Sequence, residues 1–256
     1  MQHIIQKLSE TLRSGVPCVL LTVTERHGSA PRGLGASMFV TREGAQFGTI
    51  GGGAVEYAAS EHAKAVLHTQ SSETKLYRLT QNEVADLGMI CGGQVKVLFQ
   101  YLAADAANQA LFAALAEAKR DGRRACLQRV VTDGAVTDMR LVTEGKLPAR
   151  AAWTEDGALL EPVGQAERVY LFGGGHVSQK LAPVLGYVHF SVHVLEDRAA
   201  FADKQLFPTA ESTRVIAFDD ITDVDIAASD YVVIMTRGHQ ADYEILRQAL
   251  KTEASY

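Results

Sequence analysis

Residues Val169 to His176, reading Val-Tyr-Leu-Phe-Gly-Gly-Gly-His, constrain this chain more than any other stretch. An apolar run of strand type ends abruptly on glycines, and a helix-like pattern follows through Val177, Leu181, Val184 and Leu185. A strand that turns on glycine into a helix leaves backbone N–H groups pointing outward at the helix start, where the helix dipole adds partial positive charge. Such a junction favours an anion, usually a phosphate. Gly173 and Gly175 match the first two glycines of the dinucleotide fingerprint Gly-x-Gly-x-x-Gly, and Ser178 stands at the third, small enough to keep helix and strand close. The next apolar run, Phe190 to Leu195, ends in Glu196-Asp197-Arg198. An acid about 20 residues past the glycines is where a ribose-binding carboxylate belongs. Strand, helix, second strand and acid in register predict a Rossmann-type half. A tight strand–helix turn with no ligand is the plainer alternative.

The chain beyond this point continues as strands and one helix. Phe201 to Phe207 and Arg214 to Phe218 read as extended runs, Tyr231 to Met235 as a further strand, and Asp242 to Leu250 as a helix. Strands this uniformly apolar suit a parallel sheet covered on both faces. In a 3-2-1-4 strand order the first and fourth strands meet at the switch point, and ligands bind outside their carboxyl ends. Those ends carry His176 and Arg237-Gly238-His239, and Asp197 follows the second strand. His176, His239, Asp197 and Asp242 are therefore expected to converge on one crevice, in a phosphate or metal role or as simple polar caps.

The N-terminal half has a different pattern. Met1 to Ser14 is amphipathic through Ile4, Ile5, Leu8 and Leu12, and lacks the basic start and apolar core of a signal peptide. Pro17 to Thr24 reads as a buried strand, and Glu25 to Gly35 as a polar, glycine-rich loop of the kind that carries function. A hairpin follows, Met38 to Val40 with Gln46 to Ile50, and runs into Gly51-Gly52-Gly53 ahead of a helix from Ala54 to about His68. These glycines are an anion cradle or a simple turn. Strands over Lys75 to Thr80 and Gln94 to Tyr101 flank Asp86 to Gly93. A helix over Asp105 to Lys119 and strands over Arg123 to Thr132 and Met139 to Thr143 complete this half. From Glu144 to Glu167 the chain is polar and broken by glycine and proline, which puts a domain boundary near Gln165: residues 1–164 form an α+β domain and 165–256 the Rossmann-like one. A length of 256 residues accommodates both.

A net charge of −5 argues against a nucleic-acid or anionic-membrane surface, and no apolar run reaches the length of a membrane span. The three cysteines, Cys18, Cys91 and Cys126, are too few and too widely spaced for a disulfide framework or a zinc motif, which fits a reducing cytoplasm. Cys18 and Cys126 sit inside apolar runs and read as inert core. Cys91 is flanked by glycine, in Met-Ile-Cys-Gly-Gly, so its thiol is either a buried structural group or a reactive one near backbone donors.

Six segments, in order, resemble the xanthine dehydrogenase accessory family, XdhC/CoxI. They are Glu25-Arg26-His27-Gly28-Ser29-Ala30-Pro31-Arg32, Gly48 to Glu56, Leu87 to Gly93, Phe172 to Val177, Glu196-Asp197-Arg198 and Thr236-Arg237-Gly238-His239. The resemblance implies an N-terminal α+β domain and a C-terminal Rossmann domain. It also implies an accessory chaperone that binds molybdenum cofactor, supports its sulfuration with a cysteine desulfurase and delivers it to a molybdenum hydroxylase apo-enzyme. Many relatives carry a cysteine after the three glycines, where this chain has Ala54, so Cys91 is left as the candidate thiol for molybdenum or for sulfur. Gly-Ala-Gly-His of the relatives is Gly-Gly-Gly-His here, and the relatives continue past the last helix into a further strand, so the sheet is expected to be incomplete at the C-terminus.

The residues and the resemblance meet in one expected site set. Cys91 would be the metal ligand or sulfur carrier, its thiolate supported by glycine N–H groups and by Arg32. Gly51, Gly52 and Gly53 would cradle a phosphate, and Gly173, Gly175, His176, Asp197 and His239 would bind cofactor phosphate or a nucleotide such as NAD(P). An NAD(P)-dependent oxidoreductase and a nucleotide sensor are the competing classes. The apolar edge expected at Tyr231 to Met235 predicts a homodimer.

Overall fold

The structure is a computed structural model that describes residues 1, 3–28, 32–78, 93–145, 147–164, 167–188, 190–228 and 230–254. The chain divides into two compact units, Met1–Gln165 and Ala166–Tyr256.

The first unit is built around β1 (Cys18–His27), whose first seven residues are all buried. Its side chains serve two cores in alternation, which is why the strand reads as a continuous apolar run. Val19, Leu21 and Val23 face one core with α2 (Gly53–Thr69), through Val55, Ala59, Ala63 and Val66. Cys18 and Leu20 face the other with α1 (Ile5–Arg13) and α3 (Ala106–Arg120), through Ile5, Leu8, Leu12, Phe112 and Leu115. Asp105 caps α3, its carboxylate accepting the Asn108 N–H at 2.8 Å. On its two sides β1 pairs antiparallel with β2 (Ser37–Thr41) and with β5 (Gln94–Leu102). With β3 (Gln46–Gly48) and β4 (Glu73–Arg78) the sheet order is β3-β2-β1-β5-β4.

A second antiparallel sheet has the order β7-β6-β9-β8, from β6 (Ala125–Thr132), β7 (Ala135–Val142), β8 (Ala152–Trp153) and β9 (Ala158–Val163). The broken stretch expected to run as irregular chain from Glu144 to Glu167 is thus corrected: part of it is β9, an interior strand paired with β6 from Ala158 to Val163. Glu161 and Pro162 disguise it. Glu161 is 1% exposed because Arg129 of β6, itself 0% exposed, is hydrogen-bonded to it. Arg129 also donates to Thr22 Oγ1 at 2.8 Å and to Gln100 Oε1 at 3.0 Å, and Ser37 Oγ donates to Glu161 at 3.3 Å. The buried Arg129–Glu161 pair therefore ties β6 and β9 to three strands of the first sheet, β1 and β5 through Arg129 and β2 through Glu161.

The second unit has four parallel strands in the order β12-β11-β10-β13. They are β10 (Arg168–Phe172), β11 (Ser191–Glu196), β12 (Ser212–Val215) and β13 (Tyr231–Ile234), with α4 (His176–Tyr187) after β10 and α5 (His239–Ala249) after β13. This is the expected 3-2-1-4 arrangement. Ala182 of α4 packs on one face with Leu171, Val192 and Val194, and Ile245 of α5 packs on the other with Tyr170, Phe172 and Leu195. Ser178 is fully buried, as a stand-in for the third glycine should be. Among the described residues β13 is an edge strand, half-buried along its length. The run Phe201 to Phe207 is not extended: two short 3-10 turns, Ala199–Phe201 and Lys204–Leu206, occupy it. Asp203 sets the second, its carboxylate accepting the Gln205 N–H at 2.8 Å, while Phe207 plugs the core.

Candidate functional site

In the first unit three of the singled-out segments reach the same end of the five-stranded sheet. Register fixes this: His27 pairs with Gln94, Arg78 with Gln94, Thr22 with Ser37, and Met38 with Gly48. The loop holding Arg32, the Gly51–Gly53 junction and both flanks of the segment 79–92 therefore leave the sheet together. Cys91 lies outside the described residues. Arg26, His27 and Arg32 are exposed at this end.

The glycine junction is closed by its own chain. Gly51, Gly52 and Gly53 all have left-handed φ, at 137°, 73° and 60°, so the turn itself requires glycine. Glu56, in the first turn of α2, reaches back over it. Its Oε2 accepts the Ile50 N–H at 3.0 Å, the Gly52 N–H at 3.0 Å and the Thr49 hydroxyl at 2.5 Å. The Gly51 N–H is taken by Thr49 Oγ1 at 3.0 Å. The Ile50 and Gly52 amides thus face a carboxylate of the chain and the Gly51 amide a hydroxyl, and Arg26 and Arg32 add positive charge at this end. An acid in the first helical turn was the available sequence signal for this.

In the second unit, Gly173 has φ 107°, and a Cβ there would collide with the Met235 carbonyl; one on Gly174 would collide with that of Phe201. Gly175 differs. Its φ is −70°, a Cβ would meet nothing within 4 Å, and α4 starts after it with no side-chain cap. Glu196, rather than Asp197, turns into the glycine loop: Oε2 accepts the Gly174 N–H at 2.6 Å and Oε1 the Arg198 Nε–H at 2.7 Å. Burial alone pushes this carboxyl up, but the hydrogen bonds from Arg198, Asp197 and Gly174 outweigh it and hold it down at about 2. Asp197 shifts the other way, pushed up first by its hydrogen bond with Glu196 and then by burial. Its Oδ2 accepts from Arg237 at 3.1 Å, which joins the end of β11 to the loop after β13. Asp242 holds that loop from within, accepting the Thr236 hydroxyl at 2.6 Å and the Thr236 N–H at 3.1 Å.

Outside the carboxyl ends of β11, β12 and β13 lies a cleft of about 560 Å³, lined by Asp197, Phe218, Asp219, Arg237, Gln240 and Glu244 among others. Asp197 is brought into it. His176 and His239 are not: each is the exposed first residue of its helix. Asp242 is occupied by Thr236. Among the described residues no group of His, Cys, Asp and Glu could hold a metal ion, and no helix is long and apolar enough to cross a membrane. Cys18 and Cys126 are fully buried, and burial pushes their thiols up to about 12 and about 11.

Residues 11–78 match the model described as the XdhC and CoxI family, and residues 169–256 match the XdhC Rossmann domain, together more than half of the chain. The chain belongs to the XdhC/CoxI family. The two matched segments of this XdhC/CoxI chain carry the Arg32 loop, the Gly51–Gly53 junction, the Gly173–Gly175 loop and the acidic cleft. Among solved structures it is similar to one titled as a xanthine dehydrogenase from Bacillus halodurans, at 26% identity and a TM-score of 0.63, over 100% of this chain and 81% of that one. Comparison with curated proteins gives no match.

Proposed function

We propose that this chain is an accessory chaperone that binds molybdenum cofactor in its first unit, supports sulfuration of the cofactor with a cysteine desulfurase, and delivers it to a molybdenum hydroxylase apo-enzyme. Membership of the XdhC/CoxI family supports a role in xanthine dehydrogenase maturation. The observation that carries the reading is the meeting of the Arg32 loop, the Gly51–Gly53 junction and both flanks of the Cys91 segment at one end of one sheet.

The residues at that end fit a phosphate-bearing, soft-metal group in part. Arg26 and Arg32 offer cations to a phosphate, while the amides before α2 are engaged by Glu56. When bound, the group itself supplies a molybdenum centre on a dithiolene. The chain's own part is to bind and shield it, with Cys91 as thiolate ligand or sulfur carrier and Arg32 favouring the thiolate over the thiol. A reducing cytoplasm keeps such a thiol available. The partners in this reading are the apo-hydroxylase, the desulfurase and a second copy of the chain.

The test loads purified parent, Cys91→Ser and Arg32→Ala with cofactor and measures molybdenum and pterin per protein after gel filtration, alongside activation of an apo-hydroxylase. The expected result is weaker retention and lower activation by both variants with an unchanged far-ultraviolet spectrum. Parent-like retention and activation by Cys91→Ser would make that cysteine structural and remove the mechanism.

A further inference from the structure

Molybdenum cofactor carries a phosphate and a metal, and also a flat pterin ring, for which the Arg32 loop and the Gly51–Gly53 junction provide no surface. We infer that the pterin stacks on the indole face of Trp153, an assignment that rests on the reading of the first unit as a cofactor carrier and adds an aromatic wall to that site.

Trp153 reaches the loop end of the five-stranded sheet from the second sheet. Its Nε1–H donates to the Thr24 carbonyl at 3.0 Å. The β1–β5 ladder shifts register between Val23 and Glu25, so Thr24 is the extra residue of a β-bulge, and Glu25, Arg26 and His27 follow it directly. Two residues before Trp153, Ala151 lies against Gly35, where an added Cβ would collide with the Ala151 Cβ. Gly35, three residues after Arg32, donates its N–H to the Val23 carbonyl at 2.9 Å. One short segment, 151–153, therefore braces both the bulge that precedes Arg26 and the base of the Arg32 loop.

The ring is set before any ligand arrives. β8 pairs with β9, with Trp153 opposite Leu159, and the turn that follows is closed by the Thr154 N–H donating to the Ala158 carbonyl at 2.8 Å. The one polar atom of the indole is spent on Thr24, so the part of the side chain left open is aromatic carbon. Among the described residues of the first unit, the large apolar side chains left exposed are Tyr57, Leu76 and Trp153, at 64%, 45% and 38%. Leu76 has no ring. Tyr57 follows Glu56 in α2 and has no hydrogen bond among the described residues, so a ligand would have to order it. Trp153 is the pre-organised ring. A fused heteroaromatic ring laid on an indole face buries apolar area on both partners and gains stacking, as nucleic-acid bases do on aromatic side chains. Arg26 and Arg32 are left for the phosphate.

The test titrates the full chain with molybdenum cofactor under reducing, oxygen-free conditions and counts bound molybdenum and pterin after gel filtration. Trp153 is the chain's single tryptophan, so its emission reports the ring directly. In the parent, bound cofactor should shield the indole and lower the bimolecular rate of acrylamide quenching. Trp153→Leu should bind cofactor about tenfold to a hundredfold more weakly, whereas Trp153→Phe, which keeps a stacking face, should bind within about threefold of the parent. A bracing role alone would weaken both variants alike, because both lose the hydrogen bond to Thr24. An unshielded indole in the cofactor-loaded parent, parent-like affinity in Trp153→Leu, or equal losses in the two variants would overturn the assignment and leave the carrier reading standing. A parent that retains no cofactor would overturn both.

Discussion

Replacing Arg129 by methionine should destabilise the first unit more than any single surface change. Arg129 is 0% exposed and Glu161 1%, so the substitution leaves a carboxylate in the core without its cation, and also removes the donors to Gln100 and Thr22. Breaking a buried pair from one side costs about 3–5 kcal/mol. With a urea m-value of roughly 2 kcal/mol/M, the midpoint should fall by about 2 M. Replacing both partners, Arg129→Met with Glu161→Leu, removes the stranded charge, and most of the loss should return. The chain's single tryptophan makes the measurement specific. Trp153 belongs to the first unit and donates to the Thr24 carbonyl at 3.0 Å, so its fluorescence follows that unit alone. A loss below about 1 kcal/mol in the single variant, or a coupling energy near zero in the double-mutant cycle, would refute the view that this pair holds the two sheets together.

Other perturbations have equally defined outcomes. Glu56→Ala removes the acceptor of two amides and one hydroxyl, and should cost about 2–3 kcal/mol in the same tryptophan-monitored unfolding; a parent-like midpoint would contradict the closed junction. Glu196, held down at about 2, contributes stability that is complete above its ordinary 4.5 and is lost as pH falls through that interval, while Asp197, pushed up, offsets part of the loss. Glu196→Gln should flatten acid unfolding of the second unit between those values, read by amide exchange of β10 and β11; an unchanged slope would count against it. Cys18 and Cys126, with thiols pushed up to about 12 and about 11, should resist alkylation at pH 8 in the native chain and react once it is unfolded; native labelling of either would show that its burial is wrong.

Strands β10, β11 and β13 were legible because they are largely apolar and glycines mark their turns, so periodicity and punctuation agreed, whereas the third strand lies at Ser212–Val215 rather than Arg214 to Phe218, because its polar residues gave no apolar run to mark it. Strand β9 was not, because a charged residue and a proline inside Ala-Leu-Leu-Glu-Pro-Val read as loop until its partner is known. The complementary clue was Arg129 within an otherwise apolar strand: two opposite charges in two apolar runs are a pair that sequence separation hides. The Phe201–Phe207 stretch misled through its apolar ends, while the local hydrogen bond of Asp203 decided the turn. At the glycine loops, spacing correctly pointed to acids near the turn. It gave no way to tell that Glu196 closes the loop and Asp197 faces the cleft, since adjacent residues at a strand end point in opposite directions.

Both glycine turns carry a resident anion, Glu56 over Ile50 and Gly52 in one unit and Glu196 under Gly174 in the other. Each carboxylate acts as an internal competitor that need not be recruited from solution. Chloride, acetate and other weak buffer anions therefore compete poorly for these amides. A ligand can gain them only by bringing a stronger charge or additional contacts, or by arriving where the carboxylate has already been drawn away. Exchange of such a ligand at either turn would be a two-state displacement within the chain.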